Sequence, residues 1–257
     1  MNSLKIITLN IESDNHYDKI IPFIQKEKPD ILCLQEVFEK DMDFLSKKFN
    51  LKGLYFPIAI VAHEIKKFHM AAKGPWGLAI FSNQKIIDSG SKVYHGNTKI
   101  LPIWEETKPN SPNRTLAWVK ILNINQELII ANTHFTWTNK GQVSDLQKQT
   151  FSKLLNLLDE VKPDILCGDF NTPRDNELFD TLANIYTDNI PQNIKTTIDN
   201  DIHKAKEKIN LVVDGLFTKK TLKTKNARVV SGVSDHQAVV AEITSSPAFH
   251  HPFPQPA

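Results

Sequence analysis

The hexapeptide KPDILC occupies Lys28–Cys33 and returns unchanged at Lys162–Cys167. An amphipathic run precedes each copy. Tyr17, Ile20, Ile21 and Ile24 recur at helical spacing until Pro29, and Leu146, Phe151, Leu154, Leu155, Leu158 and Val161 do so before the second copy. Each copy then reads as a short buried strand, the first over Asp30–Glu36 and the second running into Gly168-Asp169-Phe170-Asn171. The repeat therefore predicts two similar halves, each presenting a carboxylate at the end of a strand.

Working outward, Leu4–Ile11 is apolar and β-branched and suits a buried strand with Asn10 at its end. Between the copies, runs around 54–62, 76–82, 85–94, 115–122 and 127–133 are separated by Gly, Asn, Pro or Ser and read as antiparallel hairpins. After the second copy come a helix near 175–184 and strands around 210–217, 226–230 and 236–243. Strands with flanking helices in each half predict two sheets packed face to face with helices outside, a four-layer α/β/β/α sandwich of mixed sheets.

The 257 residues suffice for one large core, and one domain over 1–244 is expected. Lys99–Asn113, with three prolines and Trp104, reads as a long surface loop of the kind that carries specificity. Residues 245–257 hold four prolines and two histidines without helical or strand period, and read as a tail. His250 and His251 on such a tail are more often incidental than metal-binding.

With 40% hydrophobic and 23% charged residues, collagen-like and disordered classes do not fit. A net charge of +2 sets up no overall field toward a polyanion, so nucleic-acid affinity would have to be local. Lysines cluster at Lys66 and Lys67, at Lys204, Lys206 and Lys208, and from Lys219 to Arg228, although each cluster alone reads as a solvated surface. Cys33 and Cys167 lie in apolar runs and read as buried, reduced thiols. No stretch has the length of a membrane span or the layout of a secretory signal, so a cytoplasmic protein without stable membrane insertion is expected.

Polar groups at the ends of buried strands are costly unless satisfied, so a set of them invites a functional reading. Asn10, Glu36, Asp169, Asn171, Asp214 within Val-Val-Asp-Gly-Leu-Phe, and Ser234-Asp235-His236 at the start of the last strand form such a set. Each motif alone is as readily a turn. Asp169 and Asn171 are two apart, and in extended backbone their side chains would share one face. Thr196, Thr197 and Asp199 are read as turn residues in preference to substrate contacts.

With ThrLeuAsnIle at 8–11, LeuGlnGluVal at 34–37, AsnThrHisPhe at 132–135, GlyAspPheAsn at 168–171 and SerAspHis at 234–236, the chain resembles the endonuclease/exonuclease/phosphatase superfamily over residues 4–244. The resemblance implies a divalent-metal-dependent hydrolase of phosphate esters. Hydrolysis of such an ester needs charge neutralisation, an activated water and a stabilised leaving oxygen. An oxygen-rich ligand set favours Mg²⁺ or Mn²⁺.

By resemblance, Glu36 is the principal metal ligand, with Asn10 and Asp235 beside it. Asp169 orients or deprotonates water and Asn171 donates to a phosphate oxygen. His236 binds or protonates near the phosphate while Asp214 fixes its tautomer; which of Asp169 and His236 is the base stays open. His134 is implied as a phosphate-contacting or general-acid residue. Arg114 contacts phosphate or braces the site through a carboxylate, two readings of equal weight. Trp137, unlike Trp76, Trp104 and Trp118, is placed at the mouth, where it could stack on a base or ring.

The substrate read first is DNA or RNA, cleaved by a monomeric nuclease. A phosphatase or phospholipase-like enzyme acting on a small or lipid phosphate is the alternative. A non-catalytic binding protein on the same fold is the third reading.

Overall fold

In a computed structural model of the chain, residues 3–123, 126–205 and 207–245 are described. His250, His251 and the expected tail fall outside this range except for Ser245, the last residue of the final strand, and Lys206 also lies outside it.

The first sheet contains β1 (Leu4–Asn10), β2 (Ile31–Phe38), β3 (Lys52–Val61) and β4 (Gly74–Ser82). The second begins with β5 (Lys85–His95), β6 (Arg114–Asn123), β7 (Gln126–His134) and β8 (Ile165–Asp169). It is completed by β9 (Thr187–Asp188) and β10 (Asp214–Thr218), while β11 (Leu222–Val230) and β12 (Ala238–Ser245) return to the first sheet. The orders are β11-β12-β1-β2-β4-β3 and β5-β6-β7-β8-β10-β9. In each sheet one parallel pair, β1–β2 or β7–β8, is joined through a crossover helix, α1 (Tyr17–Glu27) or α3 (Asp145–Val161). α2 (Met42–Phe49) and α4 (Glu177–Ile185) complete the outer layers. α2 had no counterpart in the sequence reading.

Alternation along the strands builds three cores and hence four layers. Ile31 and Cys33 of β2 face Ile165 and Cys167 of β8 across the space between the sheets. Leu32 and Leu34 pack outward with Ile20 and Ile24 of α1 and Leu45 of α2, and Leu166 packs outward with Leu154 and Leu158 of α3. The thiols of Cys33 and Cys167 are free, and each thiol lies in the inter-sheet core.

The repeated hexapeptide does the same structural work twice. Lys28 and Lys162 end their helices in the left-handed conformation, at φ 50° and 53°, each returning its N–H to the carbonyl four residues earlier at 2.8 Å. Proline then prevents the helix from resuming. Asp30 accepts the N–H of Lys5 at 2.8 Å, and Asp164 accepts that of Ile129 at 2.8 Å, so each carboxylate latches the incoming strand to its parallel neighbour.

Three expectations are corrected. Glu36 is not at a strand terminus: β2 runs on to Phe38, and Glu36 sits at a bulge where the pairing with β4 shifts between Leu34 and Val37. Its φ of 66° is unusual for a side-chain-bearing residue, and the extra residue flips the alternation, putting Val37 outward and Phe38 inward. The expected strand at 210–217 begins only at Asp214, because residues 211–213 bond irregularly to Thr197, Phe170 and Arg174. The last strand starts at Ala238, leaving His236 on the bend before it, joined to Ile198 by an isolated bridge.

Candidate active site

The ends of β1, β7 and β8, the bulge of β2, the first residue of β10 and the bend before β12 lie at one edge of the sandwich. Two buried amides fix the sheets to each other just beneath it. Gln35 of β2 donates to Asn132 of β7 at 2.7 Å, and the Asn132 amide spans the carbonyls of Leu34 at 2.8 Å and Ala79 at 3.2 Å. Glu36 and His134, adjacent to these anchors or nearly so, are thereby held in register across the gap.

Asp169 is the hub. Its Oδ1 accepts the N–H of Asn171 at 2.9 Å. Its Oδ2 accepts the Asn10 amide at 3.1 Å and faces His134 Nε2 at 3.6 Å and His236 Nε2 at 3.8 Å. On its other side His236 Nδ1 meets both Asp214 oxygens, at 2.9 and 3.1 Å. The Asn10 amide also reaches Glu36 Oε1 at 3.0 Å, linking the bulge to the hub.

The two imidazoles are driven apart in proton affinity. Burial disfavours the charged form of both, but at His236 the carboxylates of Asp214, Asp169 and Asp235 outweigh it and raise the pKa well above its ordinary value. His134 lacks that surplus: burial pushes it down to about 3, against the pull of Asp169, with Arg114 and His236 adding to the fall. The surroundings thus favour the protonated form of His236 and the neutral form of His134.

Burial, then the charge of Asp235, push the Glu36 carboxyl up to about 8, with the Asn10 amide opposing. Burial also raises Asp235, to about 6, where His236 opposes and Glu12 adds repulsion. Among the described residues, Asp169, Asp214 and His236 bring ligand atoms within 4.8 Å of one another. In that trio, however, His236 Nδ1 already bonds Asp214 while its Nε2 faces Asp169 at 3.8 Å. Asp235 also adds repulsion at Glu36 that the Asn10 amide and His236 offset only in part, and a hard cation among those oxygens fits it.

The remaining expected residues divide. Asn171 leaves extended backbone, at φ 48°, so the shared-face argument from Asp169 fails; Asn171 instead donates to the Phe135 carbonyl at 3.1 Å beside the hub. Arg114 is buried and has no carboxylate in ion-pair contact among the described residues. It braces through carbonyl and amide oxygens: His134 O at 3.4 Å, Pro109 O at 3.0 Å and Asn110 Oδ1 at 3.0 Å. Trp137 is 44% exposed, its backbone held by Asn110 of the long loop at 2.9 and 3.0 Å. Of the residues read as turns, Thr196 and Asp199 do accept N–H groups two residues on, at 3.0 and 3.1 Å, whereas Thr197 bonds far along the chain.

Sequence reasoning missed Glu12, His16 and the pairing of Lys204. Glu12 and Ser13 both take left-handed φ, at 45° and 64°, turning the Glu12 carboxylate to His16 Nε2 at 2.7 Å and to Lys204. These pairings hold Glu12 below its ordinary range against burial. The only signal was an acidic residue two places after Asn10, and periodicity does not reveal a left-handed turn.

A family model described as the Endonuclease/Exonuclease/phosphatase family matches residues 7–236. Nocturnin of Drosophila melanogaster is 24% identical over 156 residues, 59% of this chain but 23% of that protein's length. An endonuclease/exonuclease/phosphatase from Bacteroides vulgatus superposes with a TM-score of 0.70 at 16% identity, covering 96% of this chain and 100% of the other. The mannosyl-6-phosphatase of Bacteroides thetaiotaomicron does so at 0.68 and 15% identity, covering 94% and 100%. At these identities the structural likeness is one of fold.

Proposed function

Because the chain belongs to the endonuclease/exonuclease/phosphatase family, we propose that it is a divalent-metal-dependent phosphoesterase working at the edge where Asp169 gathers Asn10, His134 and His236. One observation carries the reading: a single carboxylate oxygen faces two imidazoles of opposite protonation preference, 3.6 and 3.8 Å away. Glu36 and Asp235 would hold Mg²⁺ or Mn²⁺ with Asn10 beside them, and the cation would supply charge neutralisation at a phosphate oxygen.

The protein's own groups do the rest. Asp169, held in place by the Asn10 amide and the Asn171 N–H, orients a water and takes its proton. His236, with Nδ1 held by Asp214, presents a charged N–H to the phosphoryl oxygens. His134 presents a neutral imidazole beside it, its ring packed 6.1 Å from that of Trp76. Arg114 braces the wall through the His134 carbonyl.

Lysine pairing near the mouth favours a compact phosphate ester over a polynucleotide. Lys204 is drawn to Glu12, and Lys73 to Asp14 and Asp41, so neither offers a free positive charge to track a nucleic-acid backbone. The mannosyl-6-phosphatase on the same fold is a precedent for such a substrate. The test is turnover of p-nitrophenyl phosphate, bis-p-nitrophenyl phosphate, sugar phosphates, phosphoinositides and plasmid DNA with Mg²⁺ or EDTA. Metal-dependent turnover should be lost in Glu36→Ala and His236→Ala, and turnover unchanged in both variants would overturn the assignment. Faster cleavage of plasmid than of every compact ester would restore the nuclease reading.

A further inference from the structure

Asp214 opens β10 of one sheet, and His236, 22 positions on, lies on the bend before β12 of the other, so their hydrogen bonds need an outside reference. Thr197 bonds to both segments. Its Oγ1 accepts the N–H of Val213 at 3.0 Å and of Asp214 at 3.1 Å. Its carbonyl accepts the N–H of Gln237 at 2.6 Å, and its own N–H goes to Leu211 O at 3.0 Å. Ile198 then bridges His236, Gln237 returns its side-chain amide to Ile198 O at 3.0 Å, and Asp199 N–H bonds Asp235 O at 2.8 Å.

Thr197 is wholly buried, so no water substitutes for its hydroxyl. The two N–H groups it receives lie just where the regular pairing of β10 with β8 begins, at the Asp214–Asp169 pair, so the Thr197 hydroxyl takes the donors that the sheet does not pair there.

We infer that Thr197 is a positioning residue for the proposed phosphoesterase site: one residue that sets the distance between the Asp214 carboxylate and the His236 ring by holding the backbones of both segments. The inference rests on that functional reading for its kinetic arm only. Thr197→Val keeps the shape and removes the acceptor, while Thr197→Ser keeps the acceptor.

With Mg²⁺ and the best ester of the panel, Thr197→Val should lose about 30-fold in kcat, with KM within about twofold. Its Tm should fall by about 5 °C, and Thr197→Ser should restore kcat to within about threefold. Asp30→Ala, which loses a latch far from the site, serves as the control: a comparable fall in Tm with unchanged kcat shows that lost stability alone does not slow turnover. If Thr197→Val does not fold, Thr197→Ala, which also lacks the oxygen, takes its place.

Equal kcat in Thr197→Val and wild type, or equal impairment in Thr197→Ser and Thr197→Val, would overturn the inference. The downfield proton resonance of His236 Nδ1–H, assigned by its loss in His236→Ala, gives a readout independent of turnover. It should persist in Thr197→Ser and shift or vanish in Thr197→Val. If the wild type hydrolyses no ester, the functional reading fails by itself. An unchanged resonance in Thr197→Val would then still sink the positioning role.

Discussion

Replacing Glu36 by glutamine removes one charge and almost no volume, and the structure predicts that stability and activity respond in opposite directions. The Glu36 carboxyl is pushed up to about 8 from an ordinary 4.5, first by burial and then by Asp235. A carboxyl raised in the folded state stabilises fully below its unfolded pKa and loses that contribution as pH rises through the folded value. At about 1.4 kcal/mol per pH unit, the wild type in EDTA should therefore lose roughly 3 kcal/mol between pH 4.5 and pH 7. Glu36 is only half-buried, and solvent screening brings this to about 2 kcal/mol.

Glu36→Gln escapes the loss. In EDTA at pH 7–8 it should melt about 4–8 °C above wild type, with the difference vanishing near pH 4.5. With saturating Mg²⁺ the order should reverse, because the cation stabilises only the chain that binds it, and turnover should be lost. Differential scanning fluorimetry over pH 4.5–8.5, with EDTA and with Mg²⁺, makes the comparison. Equal melting of the two proteins in EDTA at pH 8 would refute the electrostatic argument, and equal stabilisation by Mg²⁺ would refute Glu36 as a ligand.

Asp214→Asn keeps a hydrogen-bond partner for His236 but removes the charge that favours its imidazolium, so kcat should fall about 10³-fold with KM little changed in steady-state assays. Trp137→Ala should leave KM for a compact ester within about twofold; a rise of about 10-fold or more for an oligonucleotide in the same assay would instead reveal a stacked base. Asp164→Ala, removing the acceptor of the Ile129 N–H, should cost about 1–2 kcal/mol in urea unfolding while kcat stays unchanged.

The layers were legible because β8, and β2 as far as Leu34, are apolar on both faces, as strands covered on both sides must be, and the helices before them carry a single apolar stripe. The residues converging on Asp169 were legible because polar side chains at the ends of apolar runs stand out. What escaped the sequence was backbone handedness. Glu36 at φ 66°, Asn171 at 48° and Glu12 at 45° take conformations that neither spacing nor residue type announces. Pairing partners were equally hidden: Arg114 has no carboxylate in ion-pair contact among the described residues, and its protein partners come from the irregular loop through Pro109 and Asn110 and from the His134 carbonyl.

The order of strands also bears on synthesis. Asp235 and His236 are carried in by β12, which inserts between β1 and β11, so the first sheet closes only when its last-made strand arrives. A ribosome that has released everything through β10 has already delivered the hub carboxylate, both crossover helices and Glu36, yet nothing able to place an imidazolium against Asp214. Whatever chemistry the site performs would switch on as a single late event, when that strand zips home.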